Sequence, residues 1–230
     1  MVNFIYITGV LSLIIQFLTG FIDYYVLQLQ IPAKLLLLKN LLLLEIIVQI
    51  VESTFYIWLL YSFSTITDIT HFRYYDWFIT TPTMLFTYSF YLLYLKYKEK
   101  NEKIEKNMYE LIQENYKILI PIFVLNSIML IFGYLGEIKQ YPHYLTAFFG
   151  FIPFILMFYI IYEKYAVFSK EGIKTFWYFC AIWSLYGFAS VLPYTVKNVM
   201  YNILDLFSKN FFGIYLAIIL FNANKEFNQQ

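Results

Sequence analysis

The sequence predicts an all-α membrane protein, a bundle of seven transmembrane helices with its N-terminus outside and its C-terminus inside. Three observations carry this prediction. Of 230 residues, 61% are hydrophobic and only 13% are charged, against about 25% charge in a soluble domain. The apolar residues fall into seven stretches, each long enough for the roughly 20-residue helix that crosses a bilayer. The lysines are shared unevenly between alternate connectors, which sets the direction of threading.

The first stretch covers roughly residues 4–27. It lacks a basic flank and a small-residue cleavage motif, so it reads as a retained helix and not as a signal peptide. The second covers roughly 35–62, the third 72–95 and the fourth 117–136. The fifth covers roughly 143–162, the sixth 173–194 and the seventh 199–222. Pro82, Pro121, Pro153 and Pro193 lie inside these stretches. Membrane helices tolerate proline because neighbouring groups satisfy the freed backbone. The connector from Lys96 to Asn115 is the longest and most polar, and is expected to be solvated and partly helical. No repeat or domain boundary interrupts the series, so residues 1–230 are expected to form one domain.

With the N-terminus outside, Lys34, Lys39, Lys96, Lys98, Lys100, Lys103, Lys106, Lys117, Lys164, Lys170, Lys174 and Lys225 lie inside. Only Arg73, Lys139 and Lys197 lie outside. This asymmetry is the positive-inside pattern. A net charge of +1 with no basic patch gives no sign of a nucleic-acid partner. Cys180 is the single cysteine, which rules out an intrachain disulfide and a cysteine-based metal site. Neither a metal site nor enzymatic activity is expected. The 24 tyrosines and 25 phenylalanines suit interface anchoring and the lining of a flat hydrophobic ligand.

Few charges remain inside the stretches. Glu45 and Glu52 lie in the second, Arg73 and Asp76 at the start of the third, and Asp205 and Lys209 in the seventh. A charge at a helix centre costs roughly 2.5–3.5 kcal/mol on insertion scales, so each needs a partner or a purpose. Arg73 is the only arginine. Its planar fork stays charged while buried and can hold two carboxylates. The spacings Arg73–Asp76 and Asp205–Lys209 put each pair on one helix face. The four charges sum to zero, as an enclosed cluster in lipid should. From the charges alone, a structural ion-pair lock without chemistry stays open.

The neighbouring residues are more specific. The third stretch reads Arg73-Tyr74-Tyr75-Asp76-Trp77-Phe78-Ile79-Thr80-Thr81-Pro82. The sixth holds Trp183-Ser184-Leu185-Tyr186, and the seventh Asp205-Leu206-Phe207-Ser208-Lys209. This set resembles the microbial (type 1) rhodopsins, seven-helix proteins that bind retinal through a lysine of the last helix. The resemblance implies all-trans retinal bound covalently to Lys209 as a protonated Schiff base. It implies Asp76 and Asp205 as the counterion pair, Asp76 as primary proton acceptor and Arg73 as stabiliser on the outward side. It makes Trp77 and Trp183 the plates around the polyene, with Thr81, Tyr186, Met129 and Gly133 beside it. Asn126 would face Thr81. Relatives form dimers, trimers and pentamers, so a homo-oligomer is among the expectations.

Departures from the family pattern bear on mechanism. Outward proton pumps of the family have a carboxylate where Thr87 stands here, and a proton-release carboxylate pair where Pro193 and Lys197 stand. Gly187 replaces a usual proline. In the second stretch Glu45, Gln49 and Glu52 form a polar stripe on one helix face, similar to a glutamate row in channelrhodopsins. Acidic rows attract and pass cations. Ser12 and Asn210 are expected to complete a polar constriction with Glu45. The run from Asp205 to Gly213 resembles the rhodopsins of nucleocytoplasmic large DNA viruses, in their channel-type branch, group 1. That resemblance implies a light-gated channel for monovalent cations or protons in a host-cell membrane. Two alternatives stay open: an outward proton pump with Glu45 as donor, and a photosensor with a separate transducer.

Overall fold

The structure, a computed structural model, describes residues 3–227. Within them the chain forms seven long helices. Helix α1 is Phe4–Leu27, α2 Leu36–Ser62, α3 Arg73–Glu99, α4 Met108–Glu137, α5 His143–Lys164 and α6 Lys170–Ala189. Helix α7 starts as Tyr194–Asp205, passes through a π-helical turn at Leu206–Asn210 and continues as Phe211–Phe227. Neighbours in sequence pack side by side, and α7 closes the bundle against α1, α2 and α6. By length and composition alone, α1, α4, α5 and α7 are apolar enough to cross a membrane. Helices α2 and α3 bury Glu45, Glu52, Arg73, Asp76, Thr80 and Thr87 in the interior.

The bundle is apolar outside and polar within. On α1, Phe17, Leu18 and Phe21 are exposed, whereas Ser12, Gln16, Thr19 and Asp23 are buried. That inversion of the soluble-protein pattern is what a lipid solvent demands, since only the interior can satisfy polar groups. Towards the end where α7 finishes, an apolar core of Leu38, Leu41, Leu42, Tyr88, Leu92, Met157, Ile161 and Leu216 fills the bundle.

Several helix boundaries differ from the sequence expectation, and three of them bear on the site and its connectors. Helix α4 begins at Met108, nine residues before the apolar stretch. Asn107 and Glu110 form a reciprocal capping box at 3.0 and 2.9 Å, which stabilises a helical turn in water. Helix α6 ends at Ala189, short of 194, and α7 begins at Tyr194, ahead of 199. Pro193 precedes the first turn of α7, where its fixed φ suits a helix start. The first turns of α7 are polar yet buried, at Lys197, Asn198 and Asn202, so apolarity alone does not reveal them. The π-turn was not foreseen at all.

Candidate functional site

Lys209 sits in the π-turn, where the Phe211 N–H bonds to the Leu206 carbonyl. The wide turn lets Asp205 and Lys209 both point into the bundle. Lys209 Nζ donates to Asp76 Oδ2 at 2.8 Å, with Glu52 Oε1 at 3.2 Å and Asp205 Oδ1 at 3.6 Å. Asp205 is held from both sides, by Tyr56 and Tyr186 hydroxyls at 2.7 Å each. Arg73 Nη1 lies 3.8 Å from Asp205 Oδ2. Its fork is fixed by Asn198 Oδ1 at 3.0 Å and Asn202 Oδ1 at 2.5 Å. Arg73 is wholly buried and Lys209 nearly so.

The cluster also holds a member that its sequence position does not announce. Glu52 was grouped with Glu45 in an ion pathway, and the neutral count of four charges left it out. It stands instead beside Lys209. Three carboxyl groups therefore face two basic groups. Electroneutrality in lipid then calls for one extra proton among the three.

On the other side of Lys209 a cavity runs between α3, α4, α5, α6 and α7. Trp77, Thr81, Met129, Gly133, Trp183, Tyr186 and Lys209 all line it. Trp77 meets Tyr186 and Tyr201 edge-on at 5.5 and 5.0 Å. Asn126 Nδ2 donates to Thr81 Oγ1 at 2.8 Å. Gly133 and Gly187 allow close approach: a Cβ there would lie 2.5 Å from the Tyr74 hydroxyl and 2.5 Å from Phe151 Cζ. Aromatic walls with one amine at the end fit a long, flat, apolar molecule that joins a lysine through its carbonyl carbon, as retinal does.

A second buried feature lies on the α1 side. Ser12 Oγ donates to the Asn202 carbonyl at 2.8 Å, Ser53 Oγ to Gln16 Oε1 at 3.3 Å, and Thr19 Oγ1 to Gln49 Oε1 at 2.9 Å. Gln49 Nε2 donates to Asp23 Oδ2 at 2.8 Å, and Thr87 Oγ1 to Glu45 Oε1. Together these groups form a polar seam between α1, α2 and α7 that reaches α3 at Thr87. The expected single constriction of Ser12, Glu45 and Asn210 is not formed. Ser12 lies at the level of Asn202, Asn210 against Thr19 at 3.3 Å, and Glu45 against Thr87. The reason is depth: the three residues share the seam but occupy different turns. Sequence reasoning missed Gln16, Thr19 and Asp23, although their spacing with Ser12 is that of one helix face.

Lys197, expected as an outer loop charge, is buried in the first turn of α7. Its Nζ donates to both Glu137 oxygens at 2.9 Å.

A seven-helix bundle with a buried lysine facing an aromatic cavity defines a membrane protein that carries a small molecule on its last helix. The chain belongs to the bacteriorhodopsin-like protein family, whose family model matches residues 3–223. It is therefore an integral, multi-pass membrane protein and a retinal photoreceptor, with retinal bound to a lysine. The chain is similar to the viral rhodopsin OLPVRII, at 27% identity over 94% of this chain and 96% of that one, with a TM-score of 0.77. It shares the fold of a blue light-absorbing proteorhodopsin from Med12, at 17% identity over 97% and 100% of the two chains, with a TM-score of 0.76. The same holds for xanthorhodopsin, a light-driven ion pump with dual chromophore, at 15% identity over 97% and 95%, with a TM-score of 0.74. No curated protein sequence matches significantly.

Proposed function

We propose that the chain is a light-gated channel for monovalent cations, with all-trans retinal on Lys209, its N-terminus outside and its C-terminus inside. The host-cell membrane is the proposed location, following the similarity to a viral rhodopsin. Retinal bound at Lys209 supplies light absorption and a change of shape. The rest falls to this chain's residues. Asp76, at 2.8 Å, is placed to take a proton from the Lys209 nitrogen. Tyr56, Tyr186 and Arg73 hold Asp205 in place as the remaining anion. Trp77 and Trp183 confine the ligand within the cavity.

The observation that carries the channel reading is the polar seam. Asn210 and Lys209 are consecutive residues of the π-turn, so displacement of that turn acts on both the lysine and the seam. Loosening the bonds of Ser12, Thr19 and Glu45 opens a path lined by oxygen atoms, which suits partly dehydrated cations. The Thr87–Glu45 hydrogen bond favours a second reading, in which Glu45 returns a proton to the Lys209 nitrogen and the protein pumps. Illuminated, unbuffered suspensions of expressing cells test the two. The channel reading predicts no net acidification against a proton gradient. Acidification abolished by a protonophore, and slowed by Glu45→Gln, would establish the pump.

A further inference from the structure

Asp23 is the buried carboxyl that the account so far leaves without a task. It lies on α1, wholly buried, in a seam where no lysine, arginine or histidine comes within ion-pair distance of it among the described residues. Its Oδ2 accepts from Gln49 Nε2 at 2.8 Å, and its Oδ1 has no hydrogen-bond partner among the described residues. Nearby, the single proton of the Thr19 hydroxyl faces three acceptors: the Gln16 carbonyl at 3.0 Å, Gln49 Oε1 at 2.9 Å and Asn210 Oδ1 at 3.3 Å. Gln16 Nε2 and Asn210 Nδ2, in the same seam, also have no hydrogen-bond partner among the described residues. The site is also built against α7. A Cβ on Gly213, one turn beyond Lys209, would fall 2.5 Å from Asp23 Oδ2 and 2.9 Å from Gln49 Nε2.

A buried carboxyl oxygen without a partner, beside hydroxyl and amide oxygens on three helices, is the environment in which a hard cation replaces part of its hydration shell. We infer that Asp23 is the ion-coordinating, selectivity-determining residue of the pathway. A monovalent cation passing along the seam is held by Asp23 Oδ1 together with the oxygens of Thr19, Gln49 and Asn210. The three helices that meet here include the one carrying Lys209, so the site opens when α7 moves. This inference rests on the channel reading.

The test is whole-cell photocurrent of the full chain, with sodium on one side and a proton gradient across the membrane, in wild type, Asp23→Asn and Gly213→Ala. Asp23→Asn keeps the shape and replaces one carboxyl oxygen by an amide nitrogen, and Gly213→Ala keeps the carboxyl group and displaces it. The visible absorption band, set by the distant cavity, reports that each variant is folded. In both variants the sodium-to-proton permeability ratio is expected to fall by about tenfold, the weight of one lost contact between the cation and a carboxyl oxygen. An unchanged ratio in pigmented Asp23→Asn overturns the role of Asp23 and leaves the channel intact. A wild type whose photocurrent never reverses removes the channel reading and this inference with it.

Discussion

Glu52 Oε1 lies 3.2 Å from Lys209 Nζ, so the lysine meets carboxyl groups from three helices: Glu52 of α2, Asp76 of α3 and Asp205 of α7. An anion beside a positive nitrogen stabilises the state in which charge sits on that nitrogen. Removing it narrows the excitation gap. Asp76→Asn is expected to move the visible band to longer wavelength, and Glu52→Gln to move it the same way by less, because its contact is longer. Absorption spectra of the purified pigments check this. An unmoved band in Asp76→Asn would reassign the counterion.

Lys209→Ala removes the only amine among the described residues that line the cavity and should give a colourless protein when expressed with all-trans retinal. A visible band that survives washing would place the attachment elsewhere.

The approach of Phe151 to Gly187 makes a steric prediction. In Gly187→Ala the new methyl would meet the ring at 2.5 Å, so Phe151 must shift into the cavity. Overpacking of this kind costs about 1–3 kcal/mol. Slower pigment formation from added retinal and a lower bleaching temperature are expected. Wild-type values for both would mean that the ring yields freely.

Lys197 and Glu137 form a buried pair, with side chains 5% and 3% exposed. Lys197→Met leaves the Glu137 carboxyl without its partner, a loss of about 3–5 kcal/mol for a buried pair. The bleaching temperature should fall in the single variant and recover in Lys197→Met/Glu137→Met. A single variant as stable as wild type would show the pair to be dispensable.

The legible parts of this molecule are those where lipid makes polarity expensive. Lys209, Asp205, Arg73 and Asp76 stand out because a charge in an apolar run needs a partner, and the spacing on each helix names the face. What spacing cannot give is which residue of another helix lies opposite. That is why the sequence does not reveal the contact of Glu52 with Lys209, and why it suggests one level for Ser12, Glu45 and Asn210. Asp23 was overlooked for another reason: it lies near the end of an apolar stretch, beside Tyr24 and Tyr25, where a charge is cheap. Its register with Ser12, Gln16 and Thr19 was the available signal. The π-turn leaves no mark in composition.

The central claim is that light opens a passive path along the α1–α2–α7 seam. The most direct measurement is whole-cell photocurrent against voltage in two cation gradients. The account predicts a current that reverses sign, at a voltage that follows the gradient. A current that keeps one sign at all voltages and in both gradients would contradict it.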